Sequence, residues 1–154
     1  KVADYPFTTL YPNLGVVKAG ARHFVMADVP GLIENASEGA GLGFEFLKHL
    51  SRAKILLHVV DILPADGSNP VNNYLAIESE LKKFDEGLFS KPRILAINKV
   101  DLIEKEKLNK VIDKFVKKIK YEGKAFNISA LNGFGCKLLV FELSELIERE
   151  NDEK

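Results

Sequence analysis

Apolar residues along this chain form two patterns. Nearly continuous runs predict strands, and residues at helical spacing between these runs predict helices. Nearly continuous apolar runs occupy Ile55 to Asp61 and Arg93 to Asn98. Strands buried on both faces of a parallel sheet have this pattern. A weaker run of the same kind covers Lys124 to Ser129. The sequence therefore predicts three strands of a parallel sheet.

Two shorter β-rich runs lie near the start of the chain. They are Leu14 to Lys18 and His23 to Asp28, with Ala19-Gly20-Ala21-Arg22 between them. Short runs rich in Val and Phe that flank a glycine-containing turn are typical of a β-hairpin. We therefore expect an antiparallel pair here.

Amphipathic stretches with helical spacing separate the apolar runs. The predicted helices are Gly43 to Ala53, Asn72 to Asp85, Glu104 to Ile119 and Lys137 to Arg149. Gly87 supplies a stop signal for the second helix. The many lysines of the third are interpreted as its solvated face. The last helix is expected to bury some combination of Leu138, Leu139, Phe141, Leu143, Leu146 and Ile147.

Alternating strands and helices indicate an α/β fold in one domain, residues 1–150, followed by a frayed tail at 151–154. The formal net charge is zero, so bulk charge favours neither nucleic acid nor membrane. Cys136 is the single cysteine, which fits a reducing compartment. No apolar run is long enough for a membrane span, and Lys1 to Thr9 does not have the pattern of a signal peptide, so we expect neither feature. We expect a cytoplasmic, monomeric protein without a membrane partner.

The first chemical candidate is Asn98-Lys99-Val100-Asp101, which follows an apolar strand. Guanine presents an N–H and an exocyclic NH2 side by side, and one fixed carboxylate accepts both. This segment resembles the N-K-x-D element of GTPases, which implies Asp101 on the guanine edge. Asn98 would brace the loop, and the stem of Lys99 would lie along the ring. The alternative is an ordinary turn in which Asp101 precedes a helix.

A second candidate, Ser129-Ala130-Leu131, also follows a strand and resembles the S-A-[KL] element of GTPases. That resemblance implies that the backbone N–H of Ala130 donates to the guanine carbonyl oxygen. Ser and Ala are common at helix starts, so the tripeptide gains meaning only together with the N-K-x-D segment.

Asp28-Val29-Pro30-Gly31 follows the second strand of the predicted hairpin. A carboxylate at a strand end can hold Mg2+ through a water, and Gly31 lets the backbone approach a phosphate closely. The segment matches the D-x-x-G element, at which the γ-phosphate is sensed. The alternative is a tight Pro-Gly turn.

The segment upstream of this element resembles the first switch of GTPases. Its candidate nucleotide contacts are Phe7, Thr8, Thr9, Leu10 and Tyr11. One threonine hydroxyl would ligate Mg2+ when the triphosphate is bound, and Thr9 is preferred over Thr8. The alternative is a β-rich leader with two structural threonines. The four segments occur in the order that this class of enzyme requires.

The strings VADYPFTTLYPNLGVV and DVPGLIENASEGAGLGFEFLKHL closely resemble the Obg subfamily of GTPases, and the resemblance continues through LLHVVD, NKVDL and SAL. It implies a P-loop NTPase fold of the Ras-like G-domain type. It also implies Mg2+-dependent hydrolysis of GTP to GDP and phosphate, in a switch linked to ribosome assembly or stress on the large ribosomal subunit. Asn35 departs from the glycine usual in that family. Asp101 argues for guanine over adenine.

No catalytic residue is identified from the sequence. Leu32 occupies the position at which Ras-like enzymes carry a Gln that orients the attacking water. A leucine side chain has neither donor nor acceptor. Hydrolysis is therefore expected to be slow or to depend on a backbone group, a monovalent cation or a partner.

Two other functions stay open at this point. One is a ribosome- or protein-docking module that no longer hydrolyses nucleotide, and the other is an unrelated flavodoxin-like domain. His58 is interpreted as a core histidine. Asp61 ends a strand beside the proposed site, where an Asp can equally start a turn.

The G-x-x-x-x-G-K-[ST] phosphate loop does not occur in this sequence. We interpret the chain as a G-domain fragment without the amino-terminal strand, the P-loop and the first helix. That loop supplies the N–H groups and the lysine that hold the β- and γ-phosphates. We therefore predict that a purified chain beginning at Lys1 binds GTP poorly and hydrolyses it at no useful rate. Measurable phosphate release by this chain would contradict the prediction.

Overall fold

The structure, a computed structural model, describes residues 13–28, 48, 50–84 and 86–152. Backbone contacts divide the chain into two compact units. One comprises Lys1–Lys54 with Ile77–Lys91, and the other comprises Ile55–Ala76 with Pro92–Lys154. The single domain expected over residues 1–150 stays a prediction.

The described strands of the first unit form the predicted hairpin. Strand β1 (Asn13–Ala19) pairs antiparallel with β2 (Arg22–Asp28). The turn consists of Gly20 and Ala21, and Gly20 has φ +66°. A glycine with positive φ at the first turn position is what a type II′ hairpin turn requires. The pairing places Asp28 at the end of β2, opposite Asn13.

Three parallel strands form the sheet of the second unit. They are β3 (Leu56–Asp61), β4 (Arg93–Asn98) and β5 (Ala125–Asn127), in the spatial order β3-β4-β5. The predicted parallel strands are confirmed, although β5 is shorter than Lys124 to Ser129. The N–H of Ile128 still donates to the carbonyl oxygen of Ile97 in β4 (2.8 Å), whereas its own carbonyl oxygen accepts the N–H of Val100 beyond the end of β4 (3.3 Å).

The described helices are α1 (Pro70–Phe84), the short α2 (Glu86–Phe89), α3 (Lys105–Ile119) and α4 (Cys136–Asp152). A 3-10 turn covers Val100–Leu102. Of the predicted helix Gly43 to Ala53, Lys48 and Leu50 are described and helical, and residues 43–47 and 49 lie outside the described part of the chain. The predicted end at Ala53 is wrong, because residues 51–53 are described and are not helical.

Helix α1 begins two residues before the predicted start at Asn72. The side chain of Asn69 accepts the N–H groups of Val71 (2.8 Å) and Asn72 (3.2 Å) through Oδ1. Pro70 occupies the first helical position, where its missing N–H costs nothing. An N-cap Asn followed by Pro therefore sets the start of the helix.

The end of the second predicted helix, Asp85, agrees with the structure to within one residue, but Gly87 itself lies in helical structure. Helix α1 ends at Phe84, and Gly87 lies inside α2. Leu88 in the same short helix is only 1% exposed. Burial of this leucine stabilises a further helical turn at a position where glycine alone would favour a break.

The core of the second unit is formed by its sheet, the first part of α1 up to Ala76 and helix α3. Leu95 and Ile97 of β4 are fully buried. The cluster also contains Val60, Ile62, Tyr74, Val100, Ile112, Phe115 and Ile119. His58 is buried as predicted and stacks on Tyr74, with ring centroids 4.6 Å apart.

Helix α3 is amphipathic as expected. It buries Ile112, Phe115 and Ile119, and its lysines are exposed. Lys120 ends the helix with φ 56°, and the carbonyl oxygen of Val116 accepts the N–H of Tyr121 (3.2 Å). This left-handed residue closes the helix in the way that glycine usually does.

Helix α4 buries a subset of the apolar residues predicted for it, as expected. Leu139 and Leu143 are buried, whereas Leu138 and Phe141 are 59% and 55% exposed. Positions four apart share a helix face, so Leu139 and Leu143 face the core while Leu138 and Phe141 lie on another face. The helix continues through Asp152, beyond the predicted end at Arg149. Among the described helices, none is long and apolar enough to cross a membrane.

We predict that Asn69→Ala lowers the free energy of unfolding by about 1 kcal/mol, because two N–H groups of α1 lose their acceptor. Chemical denaturation followed by circular dichroism measures the change. Asn72→Ala is the matched control, since Asn72 is exposed and lies inside the helix. Equal losses from the two variants would show that Asn69 does not cap α1.

Candidate nucleotide-base site

Strands β3 and β4 end in register, which brings two polar side chains together. The Cα atoms of Asp61 and Asn98 are ladder partners. Nδ2 of Asn98 donates to Oδ1 of Asp61 at 3.1 Å, in a partly buried position. The carboxyl edge of a parallel sheet is where ligands bind in open α/β folds. The contact therefore lies at the edge where a ligand site is expected.

The other atom of the Asn98 amide reaches a second loop. Oδ1 of Asn98 accepts the backbone N–H of Ala130 at 2.9 Å, across 32 positions of sequence. One side chain thus joins the end of β3, the loop after β4 and the loop after β5. The two segments singled out from the sequence are held together by this amide.

Lys99 has a left-handed backbone, with φ 72° and ψ 27°. Its ammonium lies 3.1 Å from Oδ2 of Asp61, and the two side chains are 33% and 37% exposed. Such a partly exposed ion pair contributes little to stability. The next residue, Val100, is only 5% exposed and anchors the loop. Asp101 follows in the 3-10 turn and is exposed.

Ser129 anchors the loop after β5 from inside the protein. It is fully buried, and its N–H donates to the carbonyl oxygen of Phe134 (2.9 Å). Its hydroxyl oxygen accepts the N–H of Asn132 (3.3 Å), and its carbonyl oxygen accepts that of Gly133 (2.8 Å). Ala130 is exposed, and Leu131 is 89% exposed. Ser129 thus holds a loop whose next two residues face solvent.

Gly135 closes this loop against β5. A Cβ at this position would lie 2.3 Å from the carbonyl oxygen of Asn127, and the backbone φ is +73°. Both facts exclude a side chain here without movement of the backbone. The close approach sets the distance between the start of α4 and the end of β5.

Asp66 lies in the connection between β3 and α1. Its Oδ1 accepts the hydroxyl (2.6 Å) and the backbone N–H (2.9 Å) of Ser68. These hydrogen bonds hold the pKa of Asp66 below its usual value of 3.8, with a smaller contribution from the charge of Lys99. Asp66 is therefore a carboxylate that follows β3 and has its own hydrogen-bond partner, Ser68.

A comparison with known protein families gives a match over residues 1–99 to the family described as 50S ribosome-binding GTPase. The chain belongs to the 50S ribosome-binding GTPase family. The match ends at Lys99, so the family profile includes the hairpin, β3 and β4 together with the first half of the N-K-x-D segment.

Curated relatives confirm the resemblance to Obg. The chain is 63% identical over 150 residues to the GTPase Obg of Vesicomyosocius okutanii subsp. Calyptogena okutanii, covering 97% of this chain and 45% of that protein. It is 60% identical over 152 residues to the GTPase Obg of Ruthia magnifica subsp. Calyptogena magnifica, covering 99% of this chain and 45% of that protein. The chain thus spans less than half the length of these relatives.

A solved structure supports the fold. Era in complex with MgGDPNP and nucleotides 1506–1542 of 16S ribosomal RNA has a TM-score of 0.64 and 24% identity, covering 92% of this chain and 46% of that one. At this identity the likeness concerns the fold alone. The predicted α/β fold of the P-loop GTPase type is confirmed for this family member.

The structure brings the base-recognition candidates together and leaves the phosphate candidates largely outside its described residues. Asn98 and Lys99 contact Asp61, and Asn98 contacts Ala130. Asp28 is exposed at the end of β2, in the other unit. Outside the described residues lie Phe7, Thr8, Thr9, Leu10, Tyr11, Val29, Pro30, Gly31 and Leu32. Nucleotide contacts for all of these residues stay predictions.

Sequence reasoning missed the part played by Asp61, which it interpreted equally as the start of a turn. The residue receives both the amide of Asn98 and the ammonium of Lys99. A signal was present, since an Asp ends one apolar strand and an Asn ends the next. Their pairing depends on strand register, which the sequence pattern does not specify.

We predict that Gly135→Ala destabilises the protein much more than Gly133→Ala. Both glycines have positive φ, +73° and +88°, but no atom lies within 4 Å of a Cβ at Gly133. The control should cost about 1 kcal/mol through backbone strain. Gly135→Ala should cost about 1–3 kcal/mol more through the contact with Asn127. Denaturant unfolding measures both, and similar losses would show that the close approach does not constrain the loop.

Proposed function

We propose that this chain supplies the guanine-recognition part of a GTPase that hydrolyses GTP to GDP and phosphate. One observation carries the proposal: a single side chain, Asn98, joins the loop that bears Asp101 to the loop that bears Ala130. Two loops held in this way form one edge on which a flat base can lie. The family match and the two Obg relatives support the reaction.

In the proposed site, the exposed carboxylate of Asp101 accepts the N–H and the exocyclic NH2 of guanine. Two charge-assisted hydrogen bonds to one carboxylate give both strength and base choice. Adenine offers no such pair of donors, so its binding would leave the carboxylate unpaired. The aliphatic stem of Lys99 lies against the ring, and its ammonium stays near Asp61.

The backbone N–H of Ala130 is proposed to donate to the guanine carbonyl oxygen. In the structure this N–H donates to Asn98 at 2.9 Å. An N–H that already has one acceptor can share its hydrogen with a second oxygen in a three-centre bond. The guanine oxygen would therefore complete a small network centred on Asn98, and it would bind without displacing that side chain.

Mg2+ is proposed as the cofactor, held by the hydroxyl of Thr9 and, through a water, by the carboxylate of Asp28. Asp28 is an exposed carboxylate at a strand end, a donor that suits this ion. Among the described residues no three His, Cys, Asp or Glu side chains lie close enough together to hold a metal. In the proposed site, phosphate oxygens and waters would supply most of the ligands of the ion. The ion would neutralise charge that develops on the phosphates.

We propose the large ribosomal subunit as the partner, in a cytoplasmic, monomeric switch that couples ribosome assembly to the bound nucleotide. The family's description as 50S ribosome-binding supports this. Hydrolysis is proposed to be slow without a partner, since Leu32 cannot orient water. A backbone group, a monovalent cation or the partner itself would then complete the site.

We predict that Asp101→Asn in the full-length protein weakens GDP binding by about 10- to 100-fold and strengthens xanthosine diphosphate binding. An amide accepts only one of the two guanine donors, whereas it can donate to the additional carbonyl of xanthine. Fluorescence titration with labelled nucleotides measures both affinities.

The control for this exchange is Asp113→Asn, which removes an exposed carboxylate from α3. It should leave both affinities unchanged. Unaltered GDP binding in Asp101→Asn, or a preference of the unmodified protein for adenine nucleotides, would contradict guanine recognition by this loop.

A further inference from the structure

The carboxylate of Asp61 is held at a fixed place by the strand that carries it. Asp61 pairs with Asn98 in the ladder, and the N–H of Ile62 donates to the carbonyl oxygen of Asn98 at 3.0 Å. Its neighbours Val60 and Ile62 are each 5% exposed and belong to the core. Because side chains alternate along a strand, Asp61 lies on the side opposite these two anchors.

Both oxygens of this carboxylate have partners in the base-recognition loop. Oδ1 accepts from Nδ2 of Asn98, and Oδ2 lies against the ammonium of Lys99, each at 3.1 Å. A connection of 37 positions separates Asp61 from Asn98 in sequence. The loop that follows β4 is therefore tied to the end of a different strand.

A carboxylate only accepts hydrogen bonds, and this determines how the Asn98 amide is turned. The NH2 group must face Asp61, so the carbonyl oxygen must face the other way. That oxygen is then placed to accept the N–H of Ala130. Without the carboxylate, only the N–H of Ala130 would orient the amide, and the side chain that joins the two loops would lose the contact that holds its other end.

We propose that Asp61 is a positioning residue for guanine recognition, which acts through the amide of Asn98 and the ammonium of Lys99 and has no contact with the base. The inference rests on the proposed function of the same site. Asp61 also forms an ion pair with Lys99. The backbone of Lys99 has φ 72°, a conformation that non-glycine residues seldom adopt. The base-recognition edge is then built from three strand ends.

The two contacts of Asp61 should contribute unequally to GDP binding. Lys99 and Asp61 are both about one-third exposed, and solvent screens such ion pairs. The hydrogen bond to Asn98 is partly buried and directs a second bond to Ala130. Loss of the acceptor should therefore weaken binding more than loss of the charge.

The test compares Asp61→Ala, Asp61→Ser and Asp61→Asn in the full-length protein, with GDP affinity and dissociation rate as readouts. The Ala and Ser side chains cannot reach Asn98, and we expect GDP affinity to fall by about 10-fold. The Asn side chain keeps an acceptor of the same shape without the charge. It should restore affinity to within about 3-fold of the unmodified protein.

A double-mutant cycle separates positioning from general destabilisation. Asn98→Ala is combined with Asp61→Ala, and GDP affinity is measured for both single variants and the double variant. If Asp61 acts through Asn98, its removal should change affinity less than 2-fold once Asn98 is absent. A role in overall stability alone would instead give additive losses. Thermal unfolding of each variant identifies any that do not fold, and Asp61→Ser then replaces Asp61→Ala.

The matched control is Asp66→Ala, which removes a carboxylate from the same connection. Asp66 has its own partner in Ser68 and should leave GDP affinity within 2-fold. Affinity within 2-fold after Asp61→Ala, failure of Asp61→Asn to restore it, or additivity with Asn98→Ala would each overturn the inference. A lack of guanine preference in the unmodified protein would instead overturn the proposed function.

Discussion

The register between β3 and β4 is the constraint on which the site depends. Backbone hydrogen bonds fix Asp61 opposite Asn98, so their side chains meet at the carboxyl edge of the sheet. A shift of one residue would move each side chain to the other face of the sheet. Both faces of β4 are buried, with Leu95 and Ile97 on one face and Ile94 and Ala96 on the other, so a shift would disrupt close packing on both faces. Packing of the core thus secures the position of polar atoms at its edge.

The loop after β5 is fixed by different means, through close contact and local hydrogen bonds. Ser129 is buried, and its N–H, hydroxyl oxygen and carbonyl oxygen each form a hydrogen bond within the loop. Gly135 lies against the carbonyl oxygen of Asn127. A larger residue at Gly135 would push the start of α4 away from β5. Each of these contacts contributes on the order of 1 kcal/mol, so the arrangement depends on several of them acting together. Ser129 and Gly135 thus fix the position of the exposed residues Ala130 and Leu131.

Much of the secondary structure could be predicted from apolar periodicity. Strands β3 and β4 were predicted to within one residue, because both are buried and their apolar runs are continuous. The start of α1 was missed by two residues, since the cap by Asn69 and Pro70 lies outside the periodic stretch. The short helix that contains Gly87 was missed, because the burial of Leu88 offsets glycine's weak helix propensity. Leu138 and Phe141 show that apolar character alone does not decide which helix face is buried.

The sequence by itself determined the class of fold and the family, and it supplied the candidate residues for guanine recognition. These depend on residue types in order and on short-range spacing, which a linear pattern contains. The tertiary structure decided that Asn98 joins two loops and that Asp61 directs its amide. Those relations depend on strand register and on distances between residues 32 and 37 positions apart. These residues come within hydrogen-bonding distance only when the core packs. Burial of the strands brings their polar ends together, and the loop sequences alone do not.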